Sequence, residues 1–93
     1  MNLTNSERQE LKAKAHHLKP TIQIGKNGLT REQIQTIKTH LEHHELIKIK
    51  FNDYKSQKEE LSKKITEETD SEQIDLIGYT LVLYKKKTNK TSR

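Results

Sequence analysis

Leu46-Ile47-Lys48-Ile49-Lys50-Phe51 alternates apolar and basic residues after its opening leucine. Successive side chains of a strand point to opposite faces. This run is therefore a strand with Ile47, Ile49 and Phe51 on one face and Lys48 and Lys50 on the other. One face needs a core and the other does not. That asymmetry predicts a sheet with helices packed mainly on one side and a partly open face bearing the lysines.

Upstream, Ile34, Ile37 and Leu41 recur at i, i+3 and i+7, the stripe of an amphipathic helix expected from Arg31 to about His44. Thr30 precedes it as a cap, with Gln33 in the reciprocal position of a capping box. Thr21-Ile22-Gln23-Ile24 alternates again and is read as a short strand, with Gln23 joining the polar face. Thr4 and Glu7 form another capping-box pattern ahead of Leu11, Ala15 and Leu18. The first helix is thus expected over about 5–18, closed by Lys19-Pro20. Downstream, Asn52-Asp53 can cap a third helix with the stripe Tyr54, Lys58, Leu61 and Ile65, stopping near Thr69-Asp70-Ser71. Gln73 to Ile77 and Thr80 to Tyr84 are two further strands, joined as a tight hairpin by Gly78-Tyr79.

The expected fold class is α/β (α+β), a single domain in the order α-β-α-β-α-β-β with a mixed four-stranded sheet. The domain is expected to occupy residues 1–86. Residues 87–93 form a basic tail, expected to be disordered because it has no apolar residue.

Composition narrows the function. Leu, Ile, Val and Phe make up 21 of 93 residues, enough for one modest core. No apolar run approaches the roughly 18 residues of a membrane span. The N-terminus lacks the pattern of a signal peptide. The chain has no cysteine, which removes disulfides and thiolate–zinc chemistry. A cytoplasmic protein is the default expectation. Net charge is +5 and unevenly spread. Residues 1–51 carry nine basic and five acidic groups, residues 52–84 four basic and eight acidic, and residues 85–93 five basic and none acidic. A basic half and a basic tail suggest a polyanionic partner, nucleic acid before membrane. The bland alternative is solubility alone.

Gly25-Lys26-Asn27-Gly28 lies between the first strand and the second helix. Glycine permits positive φ and, lacking Cβ, lets backbone approach a phosphate closely. The unbonded N–H groups and dipole of the helix start favour an anion at the same place. Lys26 supplies a charge and Asn27 a donor, and Arg31 can reinforce them. A plain strand-to-helix turn would have the same look, since G-x-x-G alone is a weak signal. KH domains grip single-stranded backbone with such a loop, although theirs joins two helices.

Other constellations are weaker. His40 and His44 stand at i, i+4, yet lack thiolate partners and the H-E-x-x-H pattern, so no metal site is expected. With His16, His17 and His43 they could add charge toward phosphate below an ordinary pKa of about 6.5. No nucleophile elbow or Walker-type phosphate loop is present, so the protein is not expected to be an enzyme, and no cofactor or small-molecule substrate is implied. Only Phe51, Tyr54, Tyr79 and Tyr84 are aromatic. That argues against the stacking platforms of RRM and OB modules and for backbone-led binding. Hairpin and core packing is the favoured role for the tyrosines.

Four ordered motifs carry a specific resemblance. They are Leu18-Lys19-Pro20; Ile24-Gly25-Lys26-Asn27-Gly28-Leu29-Thr30; the run Leu41 to Lys50; and Ile77-Gly78-Tyr79-Thr80-Leu81-Val82-Leu83-Tyr84. Over about residues 3–86 the chain resembles the CRM domain, and within it the stand-alone bacterial YhbY group. The resemblance implies the CRM fold and RNA binding through the G-x-x-G loop at Gly25 to Gly28. For bacterial members it implies association with precursors of the large ribosomal subunit, and plant relatives act in organellar intron splicing. Two departures stand out: Lys85 where the family often has arginine, and an unusually acidic third helix, which is left outside the expected RNA surface.

The expectation is a monomeric RNA-binding protein that associates with ribosomal RNA or pre-50S particles and assists ribosome assembly. Gly25, Lys26, Asn27 and Gly28 form its contact loop, with Arg31, Lys12, Lys19, Lys48 and Lys50 as supporting phosphate contacts. The alternatives are a general nucleic-acid binder and a protein-interaction module docking a ribosomal protein.

Overall fold

The alternating run is β2 (Leu46–Phe51), one of the two inner strands of the sheet. The computed structural model describes residues 3–86, so the basic tail lies outside the described residues. Around β2 the chain forms α1 (Asn5–Ala15), β1 (Ile22–Ile24), α2 (Arg31–His43), α3 (Lys58–Thr69), β3 (Glu72–Ile77) and β4 (Thr80–Tyr84). The sheet order is β1-β2-β4-β3. β1 runs parallel to β2, and β4 is antiparallel to both β2 and β3. The fold is α+β with a mixed four-stranded sheet, as the sequence predicted.

Ile47, Ile49 and Phe51 are buried with Ile22, Ile24, Leu81 and Leu83 under Ile37 and Leu41 of α2 and Ile65 of α3. Each such side chain contributes about 1.5–3 kcal/mol on leaving water. The opposite face carries a smaller cluster, in which Ala15 of α1 meets Ile74 and Val82, with Leu3, Leu11, Leu46 and Tyr84 around them. Two helices thus cover one face, and α1 crosses part of the other. It is tied at one end to β3, where Arg8 Nη1 donates to the Gln73 carbonyl at 2.8 Å and Nη2 contacts Glu72 at 3.3 Å. At the other end it is tied to β2 through Lys48. Burial raises the Tyr84 phenol above its ordinary pKa on this face, and the carboxylates of Glu45 and Glu7 push it the same way.

Several boundaries differ from the sequence reading. α1 stops at Ala15 rather than 18, and His16-His17 form a turn. Thr4 and Glu7 do form the reciprocal capping box. Thr30 caps α2, but Gln33 Nε2 donates to the Gln23 carbonyl at 2.9 Å, tying α2 to β1. α3 begins at Lys58, not after Asn52-Asp53, because Tyr54 is left-handed (φ 56°) and a 3₁₀ turn at Lys55–Gln57 intervenes. Tyr54 is therefore not part of the α3 stripe. The helix buries Ser62, Ile65 and Thr69 and ends at left-handed Asp70, where the sequence placed its stop. In β3 a register shift between Gln73 and Asp75 divides the apolar residues: Ile74 packs toward α1, Leu76 toward α2 and α3. An inserted residue breaks the two-residue period, which simple alternation does not foresee. The hairpin has two loop residues, with positive φ only at Gly78. That is the feature of a type II′ turn, where glycine takes the first central position.

Candidate nucleic-acid interface

Because β1 and β2 are parallel and β4 opposes them, three connections meet at one end of the sheet. They are the Gly25-to-Gly28 loop after β1, residues 52–57 after β2, and the Gly78-Tyr79 turn before β4. Backbone bonds lock them together. The Ile24 carbonyl accepts from both Asn52 and Asp53 N–H, at 2.9 and 3.1 Å, and the Tyr79 carbonyl accepts from Phe51 N–H at 2.7 Å.

The loop is a β-turn, closed by Gly28 N–H on the Gly25 carbonyl at 3.0 Å. Lys26 and Asn27 are exposed at its tip. Gly28 has φ +70°, a conformation that favours glycine, and a Cβ there would press on the Tyr54 ring at 3.3 Å. Gly25 is different: a Cβ there would meet nothing within 4 Å. The left-handed position belongs to Gly28 and not to Asn27. The Tyr54 hydroxyl donates to the Lys26 carbonyl at 2.7 Å and its ring lies against Gly28, so one strained tyrosine braces the turn. A left-handed non-glycine residue costs about 1–2 kcal/mol. That strain sits beside the exposed cationic tip.

An open strip of sheet adjoins the turn. Gln23 pairs with Lys50, Lys50 with Thr80 and Thr80 with Ile77, a row across all four strands on the face that α1 only partly covers. Gln23, Lys50 and Ile77 are exposed. The Asn52 amide donates to Gln23 Oε1 at the edge of this row.

The site residues expected from the sequence divide into three groups. Gly25, Lys26, Asn27 and Gly28 share the turn, Arg31 is exposed at the start of the following helix, and Lys50 is exposed on the open row. Lys48 is half-buried and engaged: its ammonium donates to the carbonyls of Ala15 and Leu18, each at 3.1 Å, closing the end of α1. Lys12 lies near the C-terminus of α1 and Lys19 just before β1, toward the opposite end of the sheet. His16, His17, His43 and His44 also precede the starts of β1 and β2 and gather away from the turn. His40 Nδ1 lies 3.0 Å from the Thr36 carbonyl of its own helix. Gln23, Asn52, Tyr54, Lys55, Lys58 and Tyr79 border the turn's end of the sheet and were not among the expected contacts. Their signal was topological: a parallel β1–β2 pair and a hairpin before β4 bring these connections together.

Replacing Lys48 with methionine is expected to cost about 1–3 kcal/mol, since the Ala15 carbonyl at the end of α1 and the Leu18 carbonyl beyond it lose a charged donor. Urea unfolding measures the loss. Unchanged stability combined with weaker, less salt-dependent RNA binding would show that Lys48 serves phosphate instead.

The fold and this end define a small α+β domain with an exposed, braced, cationic turn, an arrangement suited to holding an anion. A family model described as the CRS1 / YhbY (CRM) domain matches residues 3–85, and the chain belongs to that family. It is 40% identical over 84 residues to a Haemophilus influenzae protein named RNA-binding protein, covering 89% of this chain and 85% of that one. The Bacillus subtilis protein YqeI, named a probable RNA-binding protein, is 37% identical over 90 residues, covering 95% and 94%. A solution structure of a Staphylococcus aureus protein, described as a candidate RNA-binding protein, superposes with a TM-score of 0.78 at 36% identity, covering 97% of this chain and 96% of that one.

Proposed function

We propose that this protein binds RNA through the turn end of its sheet, gripping backbone phosphate without catalysing a reaction. The observation that carries this reading is the Gly25-to-Gly28 turn itself. Its tip presents Lys26 and Asn27 to solvent, and Tyr54 braces it from behind. Arg31 beside it and Lys50 on the open row extend the positive surface. The RNA-binding names of the relatives support the choice of RNA over other polyanions. A turn with one lysine and one amide at its tip suits phosphate and 2′-hydroxyl contacts better than discrimination among bases.

The RNA is ribosomal in this proposal, met on precursors of the large subunit in the cytoplasm, where the protein acts as a monomer. Sedimentation of cell extract tests it. The protein is expected to travel with large-subunit precursors. Its remaining at the top of the gradient under all growth conditions, cold included, contradicts the assembly role.

A further inference from the structure

Beyond the turn lies an open groove bordered by Asn52, Asp53, Tyr54, Lys55, Lys58 and Tyr79. Tyr79 is 46% exposed and Tyr54 38%. Two of the chain's four aromatic residues are thus partly exposed at this one place. The Tyr79 ring has Lys55 Nζ at 4.7 Å and Lys58 Nζ at 5.0 Å from its centroid. Its backbone is held as well, because the Tyr79 carbonyl accepts Phe51 N–H and Lys58 Nζ donates to the Gly78 carbonyl at 2.6 Å. The result is a flat ring at a held hairpin tip with two ammoniums over it, which a stacking base would have to displace.

We propose that this groove is a subsite for one unpaired nucleotide, whose base stacks on the Tyr79 ring and whose phosphate is taken by Lys55 and Lys58. This deepens the RNA-binding reading and rests on it. The groove and the turn share Tyr54 as a wall, since its hydroxyl holds the Lys26 carbonyl. A strand gripped at Lys26 and Asn27 therefore passes Tyr54 into the groove. A nucleotide brings a π-face and an anion together, the two features the groove offers. Stacking on an exposed aromatic is stronger than an exposed cation–π contact, so the ammoniums exchange the ring for phosphate. Asp53 also borders the groove, with its Oδ1 accepting Tyr54 N–H at 2.8 Å. Two ammoniums against that carboxylate leave the groove net positive. The subsite brings the start of the acidic third helix onto the RNA surface, where the sequence reading had left it out. Stacking tolerates any base, which agrees with a backbone-led grip.

The test compares a single-stranded RNA oligomer with a fully paired RNA duplex on wild type and variants. Tyr79→Ala is expected to lose about tenfold in affinity for the single strand and little for the duplex. Tyr79→Phe keeps the ring and is expected to bind like wild type. Lys55→Gln with Lys58→Gln is expected to weaken single-strand binding and flatten its salt dependence, by roughly 0.7 in log–log slope per lost contact. Full single-strand affinity in Tyr79→Ala, or an equal loss on both RNAs, overturns the subsite. Should Tyr79→Ala unfold, Tyr79→Phe and the lysine pair still decide: failure of Tyr79→Phe to bind, or an unchanged salt slope in the lysine variant, overturns it. A wild type that binds neither RNA instead removes the RNA-binding reading on which the subsite stands.

Discussion

Replacing Phe51 with alanine is expected to remove about 3–5 kcal/mol of stability, the largest single loss anticipated in this domain. Phe51 is fully buried and heads the largest buried side chains. A domain of this size has only about 5–15 kcal/mol in total, so the variant would stand close to unfolding at ambient temperature. The consequence reaches the turn end of the sheet. Phe51 closes β2, its N–H binds the Tyr79 carbonyl, and the next two residues bind the Ile24 carbonyl. The cavity left by the ring lies beneath the junction from which the turn, residues 52–57 and the hairpin tip all project. Urea denaturation of wild type and variant measures the loss. A difference below about 1 kcal/mol would mean that the core collapses around the missing ring far better than close packing allows.

The second large effect is on binding. Lys26→Ala combined with Asn27→Ala is expected to weaken every RNA by the same factor, on the order of tenfold, and to lower the salt slope by roughly 0.7–0.9. Both side chains are exposed, and the bond that braces the turn uses the Lys26 backbone carbonyl, which the substitutions retain. Stability should therefore change by no more than about 0.5 kcal/mol. A loss confined to one RNA would show that the turn reads bases. Filter binding across several RNAs and salt concentrations separates the two outcomes.

Much of this structure is legible in local sequence. Alternation in Leu46–Phe51 specifies the strand because burial on one face fixes its register. The G-x-x-G segment marks a turn, and Gly28 does occupy a position that favours glycine. What escapes local reading depends on distant partners. Lys48 looks like a free cation on an open face, yet its partners are the carbonyls of Ala15, at the end of α1, and Leu18, in the loop leading into β1. Tyr54 looks like the start of a helical stripe, because nothing nearby announces that the Lys26 carbonyl and Gly28 will hold it in a left-handed conformation. Tyr79 is read as hairpin packing until the fold sets Lys55 and Lys58 beside it. Ile74 and Leu76 look like neighbours on one face until the bulge divides them. For Lys48, Tyr54 and Tyr79 the deciding contact joins segments far apart in the chain, where periodicity carries no information; the bulge is a local insertion that simple alternation does not foresee.

The central claim, that the turn end of the sheet is an RNA-backbone grip, is tested most directly by titrating the protein with structured RNA and with duplex DNA at several salt concentrations. RNA is expected to bind more tightly at moderate salt, with an affinity that falls linearly on a log–log plot and a slope reduced in the Lys26→Ala, Asn27→Ala variant. Equal affinity for RNA and DNA, with a slope that the variant leaves unchanged, would contradict it.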